Sequence, residues 1–311
     1  MYYVKAWLRS AAQVMFQRSA LCGVLFVAGI VAGAIHSGST APMWGAFVGL
    51  TTALITARIL GYAKSEIADG LWGFNGILVG CALMTFLAPT LYGWCAVVLC
   101  SAMTTWVKRG LDRVGAPLGV GSLTFPFVLC TWIFLASSRM LAALDPVALA
   151  HPMLPESFLH IATHYPNHIG VGELVVWTLR GISQIFLIDS WLTGLLFVVG
   201  LAVASPMAAL WAVVGSAVGT CGALLLGAPT AAIAHGMYGF SPALTALALG
   251  VALLPRSPRG ALWALVGTVG TVFVQASMNV LLAPVGLPTL TAPFCLTTWL
   301  FMLPIFKNQQ H

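Results

Sequence analysis

The sequence predicts an all-α integral membrane protein made of two inverted five-helix repeats, each with a re-entrant half-helix, and a pore at the repeat interface. Three observations carry this expectation. Only 6% of the 311 residues are charged, against about a quarter in a soluble domain, too few to cover a water-facing surface. Apolar runs fill nearly half of the chain, at 21–35, 41–59, 77–107, 123–135, 185–227, 243–254 and 261–274. A helix needs about twenty residues to cross a bilayer, so the longest runs must be split. Finally, landmarks of the first half recur in the same order in the second, while the two-residue alternation of a membrane β-barrel is missing.

Taken in order, the first landmark is "LRSAAQVMFQRSALCGVLFVAGI" at 8–30, which matches "LRGISQIFLIDSWLTGLLFVVGL" at 179–201 without a gap. "APM" at 41–43 meets "SPM" at 205–207, and "GLWGFNG" at 70–76 meets "GMYGFSP" at 236–242. "GSLTFPFVLCTWIFL" at 121–135 meets "PTLTAPFCLTTWLFM" at 288–302. Such self-similarity marks two copies of one structural unit. Each copy has room for five crossings, roughly 14–35, 42–60, 72–88, 91–107 and 123–141, then 184–203, 206–226, 238–254, 261–274 and 290–305. Five is odd, so the second copy enters the membrane upside down. Inverted repeats of this kind are typical of transporters and put the substrate path where the repeats meet.

Between the fourth and fifth crossings lie shorter pieces, 108–121 and 275–286, each ending in a proline-glycine cluster. Too short to span, they are expected to re-enter and stop halfway, which is tolerated only where protein buries the backbone or it lines a cavity. An amphipathic surface helix is the alternative for the first piece, which carries Lys108, Arg109, Asp112 and Arg113; the second is uncharged. The domains therefore read as 1–141, a polar connection at 142–172, and 173–311.

Charge sets orientation rather than partners. The net charge is +6, yet the cations sit at turns between apolar runs: Lys5, Arg9, Arg18, Arg58, Lys64, Lys108, Arg109, Arg113, Arg256, Arg259 and Lys307. The positive-inside rule puts these, and both termini, in the cytoplasm. Arg139 and Arg180 are exceptions flanking the connection, which holds four of the seven histidines and faces outside. No cleavable signal is read at the N-terminus, and no nucleic-acid partner is implied. The seven cysteines lie in apolar segments without a CxxC pair, and their odd number argues for packing rather than disulfides. With no metal cluster, nucleophile triad or phosphate loop at a common depth, neither a cofactor nor catalysis is expected.

Ion-coupled transporters place titratable groups inside their crossings. Here Asp189 aligns with Arg18 near a helix start, where an acid suits the dipole, Glu173 and Arg180 lie at the interface, and His235 sits at a helix start. None is paired within a crossing, so the path is expected to read a neutral solute. The polar residues left in the crossings are repeated: Gln13 with Gln184, and Thr124 with Thr291. Phe74 and Leu78 correspond to Phe240 and Leu244, four apart and hence on one helix face; Gln13 and Phe16 are placed on a shared face in the same way. Each alone reads as ordinary packing or interhelical hydrogen bonding; their repetition points to a slot with apolar walls and acceptor-rich edges, suited to a small flat molecule carrying several N–H groups.

These residues resemble the urea transporter family. "GLWGFNGILVG" with "GMYGFSPALTALALG" is similar to that family's paired signature, "LTFPF" and "LTAPF" to its two Thr-x-Pro-Phe segments, and "RSAAQVMF" and "RGISQIF" to its two first helices. The resemblance runs from about Leu8 to Leu303. It implies a homotrimer of inverted-repeat protomers, each with its own pore, conducting urea passively. Phe16 and Phe74 would form the inner aromatic constriction and Phe240 the outer one. Leu78 and Leu244 would narrow the middle, Thr124 and Thr291 would face each other there, and Gln13 and Gln184 would offer amide oxygens. Members often carry Asn-Asn-Pro after the first-helix glutamine, where this chain has "QRSA" and "LIDS", and Leu187 stands where Phe16 stands in the other half. The implied setting is a bacterial inner membrane, with lipid and urea as partners and no cofactor. Alternatives are a channel for ammonia, water or short amides, an ion-coupled secondary transporter, or a non-transporting scaffold or enzyme. Ammonia channels would want matched pore histidines and water channels paired Asn-Pro-Ala motifs, neither of which occurs here.

Overall fold

The computed structural model describes residues 2–160 and 169–306. Two of the histidines expected to face outside, His164 and His168, lie outside the described residues, as does Lys307. The regular structure described is helical throughout, with one isolated bridge between Leu87 and Pro146. Two compact units emerge, residues 1–150 with 305–311, and residues 151–304.

In the first unit the helices are α1 (Tyr2–Gln13), α2 (Ala20–Ser37), α3 (Ala41–Ile59), α4 (Lys64–Ala68), α5 (Phe74–Phe86), α6 (Leu91–Gly115) and α7 (Phe125–Ser137). Then come α8 (Val171–Ser183), α9 (Trp191–Ala204), α10 (Pro206–Leu225), α11 (Thr230–Ala234), α12 (Phe240–Leu247), α13 (Pro258–Leu282) and α14 (Ala292–Phe306). Their starts are chemically marked. Ser19, Thr90, Ser190, Ser205 and Ser257 each accept a hydrogen bond from a backbone N–H in the first turn of the helix they precede. Such caps satisfy donors that have no partner within the helix.

Lengths depart from ten equal crossings. Helices α2, α10 and α13 are long and apolar enough to cross a membrane, whereas α8 and α9 form a pair bent by 78°. Helices α5 and α7 have 13 residues each, about 20 Å at 1.5 Å per residue against a hydrocarbon core of about 30 Å. Helix α12 has 8, extended by a π-turn at Ala248–Ala252, and α14 has 15. The first crossings expected at 14–35 and 184–203 start late as α-helices, at Ala20 and Trp191, after breaks at 14–19 and 187–190.

The stretches expected to re-enter behave differently. Residues 108–115 continue α6 without interruption, and 275–282 continue α13. Each helix ends only where proline enters a short 3-10 turn, Pro117 or Pro284, and a left-handed glycine follows, Gly119 or Gly286. Proline lacks the N–H needed to extend the α-helical ladder, and glycine accepts the left-handed turn. The half-length helices stand elsewhere, at α5, α7, α12 and α14.

Apolar side chains cover the outside. Ile35, Ile59, Leu91 and Leu225 are 74–87% exposed, a surface that lipid and not water would solvate. Inside the first unit, α3 and α5 touch backbone to backbone. A Cβ added at Gly80 would lie 1.8 Å from the Gly45 carbonyl oxygen, and one at Gly76 would lie 2.4 Å from that of Gly49. Small residues allow this approach where no water drives helices together. The protein is an integral membrane protein.

Candidate functional site

In the first unit the site starts where α1 stops. The Phe16 N–H donates to the Gln13 carbonyl (3.0 Å) and the Gln17 N–H to that of Ala12 (3.1 Å), a Schellman closure whose left-handed position is normally glycine. Here it is Phe16, at φ 59°. Gln13 and Phe16 therefore do not share a helix face, because the helix has ended between them. The Gln13 side-chain amide donates to the Asp69 carbonyl (2.8 Å), and the Arg9 guanidinium to that of Ala68 (3.1 Å). Among the described residues the Gln13 amide oxygen accepts no hydrogen bond, so it keeps its acceptor capacity.

These bonds bring the "GLWG" turn against α1. Gly70 has φ 80°, and a Cβ there would lie 2.4 Å from the Ser10 nitrogen; only glycine meets both demands. Phe74 then opens α5 and is buried, with Leu78 one turn on and wholly buried. Asn75 Oδ1 accepts the Phe127 N–H (3.2 Å), tying the start of α5 to the start of α7. Thr124, 3% exposed, immediately precedes α7 and follows Leu123, whose φ is 53°.

The second unit is built from matching bonds. The Leu187 N–H donates to the Gln184 carbonyl (2.9 Å), with Leu187 left-handed at φ 57°. The Gln184 side-chain amide donates to the His235 carbonyl (2.9 Å), and the Arg180 guanidinium to that of Ala234 (3.1 Å). Gly236, at φ 76°, packs its α-carbon against the Arg180–Gly181 peptide, 2.5 Å from where a Cβ would stand. Phe240 opens α12, Leu244 follows one turn later, and Thr291 precedes α14 after Leu290 at φ 50°. All three are buried, whereas Leu187, like Phe16, is half-buried. Every residue expected at the site is thus placed within its own unit on one of two elements: the end of the first helix, or the start of a half-length one.

Two features lay beyond the sequence reading. The left-handed Phe16, Leu187, Leu123 and Leu290 form two matched pairs beside site residues; a bulky residue with positive φ is a steric outlier, and such strain gathers at functional sites. Asn75 Nδ2 and Ser241 Oγ, at matching positions next to Phe74 and Phe240, are buried without a hydrogen-bond partner among the described residues, leaving capacity to bind water or solute. The sequence did carry a signal for both, inside the quoted "GFNG" and "GFSP".

The charges read as isolated come together. Asp69 lies 3.8 Å from Arg9 and 3.6 Å from Arg18. Asp189 lies 3.2 Å from Arg180, with its other oxygen 2.6 Å from His235 Nδ1. Asp189 is therefore an ion-pair partner before it is a helix-dipole residue, and His235 follows α11 instead of starting a helix. At the position of Arg18 the second unit has Asp189, and at the position of Asp69 it has His235, so the side-chain contact between these two positions is kept, with the acid on the other member. These side chains are 28–71% exposed. The arrangement gives buried apolar residues beside buried hydroxyls, with amides at the helix ends and the Asp69 and Asp189 clusters more exposed than either.

Comparison with known proteins identifies the family. The family model described as "UT: Urea transporter" matches residues 4–305. Urea transporter 1 of Ovis aries is 28% identical over 311 residues, covering 97% of this chain and 77% of the relative. Urea transporter 1 of Rattus norvegicus is 29% identical over 310 residues, with the same coverage. With the match spanning nearly its whole length, the chain belongs to the urea transporter family.

Proposed function

We propose that the protein conducts urea passively across a bacterial inner membrane, and that it is not an enzyme. The carrying observation is the duplicated set of site residues: Phe16, Phe74, Leu78, Thr124 and Gln13 in one unit, Leu187, Phe240, Leu244, Thr291 and Gln184 in the other. Urea is planar, so its faces can lie against phenyl and isobutyl groups while its four N–H bonds point to oxygens at the slot edge. An amide-like group left unbonded in an apolar medium costs roughly 2–7 kcal/mol, and successive hydroxyl and amide oxygens offset most of that penalty. A desolvated ion meets a far larger barrier. Several weak stations also let the solute leave.

Each repeat, with an odd number of membrane passages and opposite orientation, supplies one part of the lining, and the half-length helices end within the bilayer. The inverted order, both termini in the cytoplasm and a homotrimer with one pore per protomer complete the reading; the cation distribution supports the first two, and the family resemblance the last. Purified protein in liposomes is expected to accelerate urea efflux over empty vesicles with no ion gradient, measured by stopped-flow light scattering. Urea permeability equal to that of empty vesicles, from a monodisperse preparation, would defeat the proposal.

A further inference from the structure

Behind the first-unit site lies a polar cluster that none of the roles above uses. Lys108 Nζ is 2.5 Å from Asp112 Oδ2, one helical turn along α6, and the two side chains are only 13% and 31% exposed. The other Asp112 oxygen accepts the Ser122 N–H (2.8 Å), two residues before Thr124. The same ammonium lies 4.9 Å from the Trp72 ring centroid and 6.0 Å from that of Phe74, within or at the reach of a cation–π attraction. Trp72 is held in turn, stacked 4.0 Å from Tyr62 and donating its indole N–H to Glu66 (3.1 Å). One ion pair thus lies over the Trp72 ring, within reach of Phe74, and bonds the strained turn that presents the hydroxyl.

The second unit solves the same problem without charge. At the position matching Lys108 stands Gln275, whose amide donates to Asn279 Oδ1 (3.1 Å), the counterpart of Asp112. It also donates to Thr289 Oγ1 (2.8 Å), the counterpart of Ser122, two residues before Thr291. In both units the partners are one turn apart on a long helix, and in both a second bond reaches the turn ahead of a left-handed leucine, Leu123 or Leu290.

We infer that Lys108 and Asp112 are positioning residues for urea passage. They form a charged clamp that fixes the Phe74 ring relative to Thr124, and Gln275 with Asn279 is its neutral equivalent. The inference rests on urea conduction and deepens it. Removing one member leaves a largely buried charge unpaired, whereas replacing both together removes the problem. Charge is then incidental and the tie essential. The wall-to-hydroxyl spacing, and with it discrimination between urea and a bulkier amide, should follow the integrity of the tie and not its charge.

The test is a double-mutant cycle in liposomes, reading urea and N-methylurea flux. Lys108→Gln and Asp112→Asn singly are expected to lower urea flux at least fivefold and to shift the urea to N-methylurea ratio. The double variant, which copies the second-unit pair, is expected to recover both readouts to within twofold of the native protein. The reciprocal pair, Gln275→Lys with Asn279→Asp, should conduct within twofold as well, and it decides the matter should the single variants fail to fold. Single variants that conduct like the native chain overturn the clamp, as does a folded double variant as impaired as the singles, or a folded reciprocal variant that is blocked. A native protein that conducts no urea is a different failure, which removes the transport reading and the clamp with it.

Discussion

Leu187 sits at φ 57° where a Schellman closure would ordinarily hold glycine, and no turn geometry requires a leucine there. For an L-residue the left-handed region costs roughly 1–2 kcal/mol, so the side chain must be retained for what it touches or for the space it occupies. Leu187→Gly should therefore raise unfolding stability by about 1 kcal/mol, and Leu187→Val should lower it, because a β-branched residue fits φ > 0 worse still. Thermal unfolding in detergent reads both. If glycine destabilised the protein, packing at Leu187 would outweigh its backbone strain. The hydroxyls are argued in the same way. Replacing Thr124 and Thr291 by Val keeps shape but removes both groups; a hydrogen bond is worth about 1 kcal/mol net, and 1.4 kcal/mol is a factor of ten in rate. Urea flux is expected to fall about tenfold or more while the protein remains monodisperse. Undiminished flux would take both threonines out of the path.

At the scale of elements, the contact between α3 and α5 sets where Phe74 and Leu78 lie, and it is made by glycine against glycine. Gly80→Val should force the helices apart, since its Cβ would need the space of the Gly45 carbonyl; overpacking of this kind costs typically 1–3 kcal/mol, and backbone has less freedom to yield than a side chain. Gly110→Ala is the matched control. It lies in α6 with nothing within 4 Å of the new methyl, and alanine's helix propensity should stabilise it by up to about 1 kcal/mol. Melting temperatures that moved alike for both would refute the close-approach explanation. Helix content was legible in the sequence because apolar runs are local patterns, and the paired motifs, local as well, supplied the proposed site residues. Helix ends were less so. An apolar run does not reveal that Phe16 or Leu123 turns left-handed, and "LDRVGAPLG" shows its proline without showing that the helix persists to Gly115. The Lys108 and Gln275 ties stayed hidden for another reason: one is ionic and one is amide, so residue-by-residue similarity does not connect them, whereas their hydrogen bonds do.

At the scale of the whole molecule, the distribution of charge is what the proposed passive conduction rests on against a coupled transporter. Coupling needs a titratable group that faces the path and binds the driving ion in one state more tightly than in another. The side chains clustered around Asp69 and Asp189 are 28–71% exposed, so neither cluster is enclosed as a coupling site within a crossing would be. Among the described residues, Lys108 with Asp112 is the most enclosed ion pair, and it is engaged on both oxygens of the carboxylate. Passive conduction therefore predicts that urea equilibrates across liposomes to the same final concentration with or without an imposed proton or sodium gradient, in the native protein and in the Lys108→Gln, Asp112→Asn double variant alike. Radiolabelled urea uptake followed to its plateau measures this directly. A plateau above equilibrium that needed the gradient would make the protein a transporter, and its loss in the double variant alone would show that the pair titrates in the cycle instead of holding a wall in place.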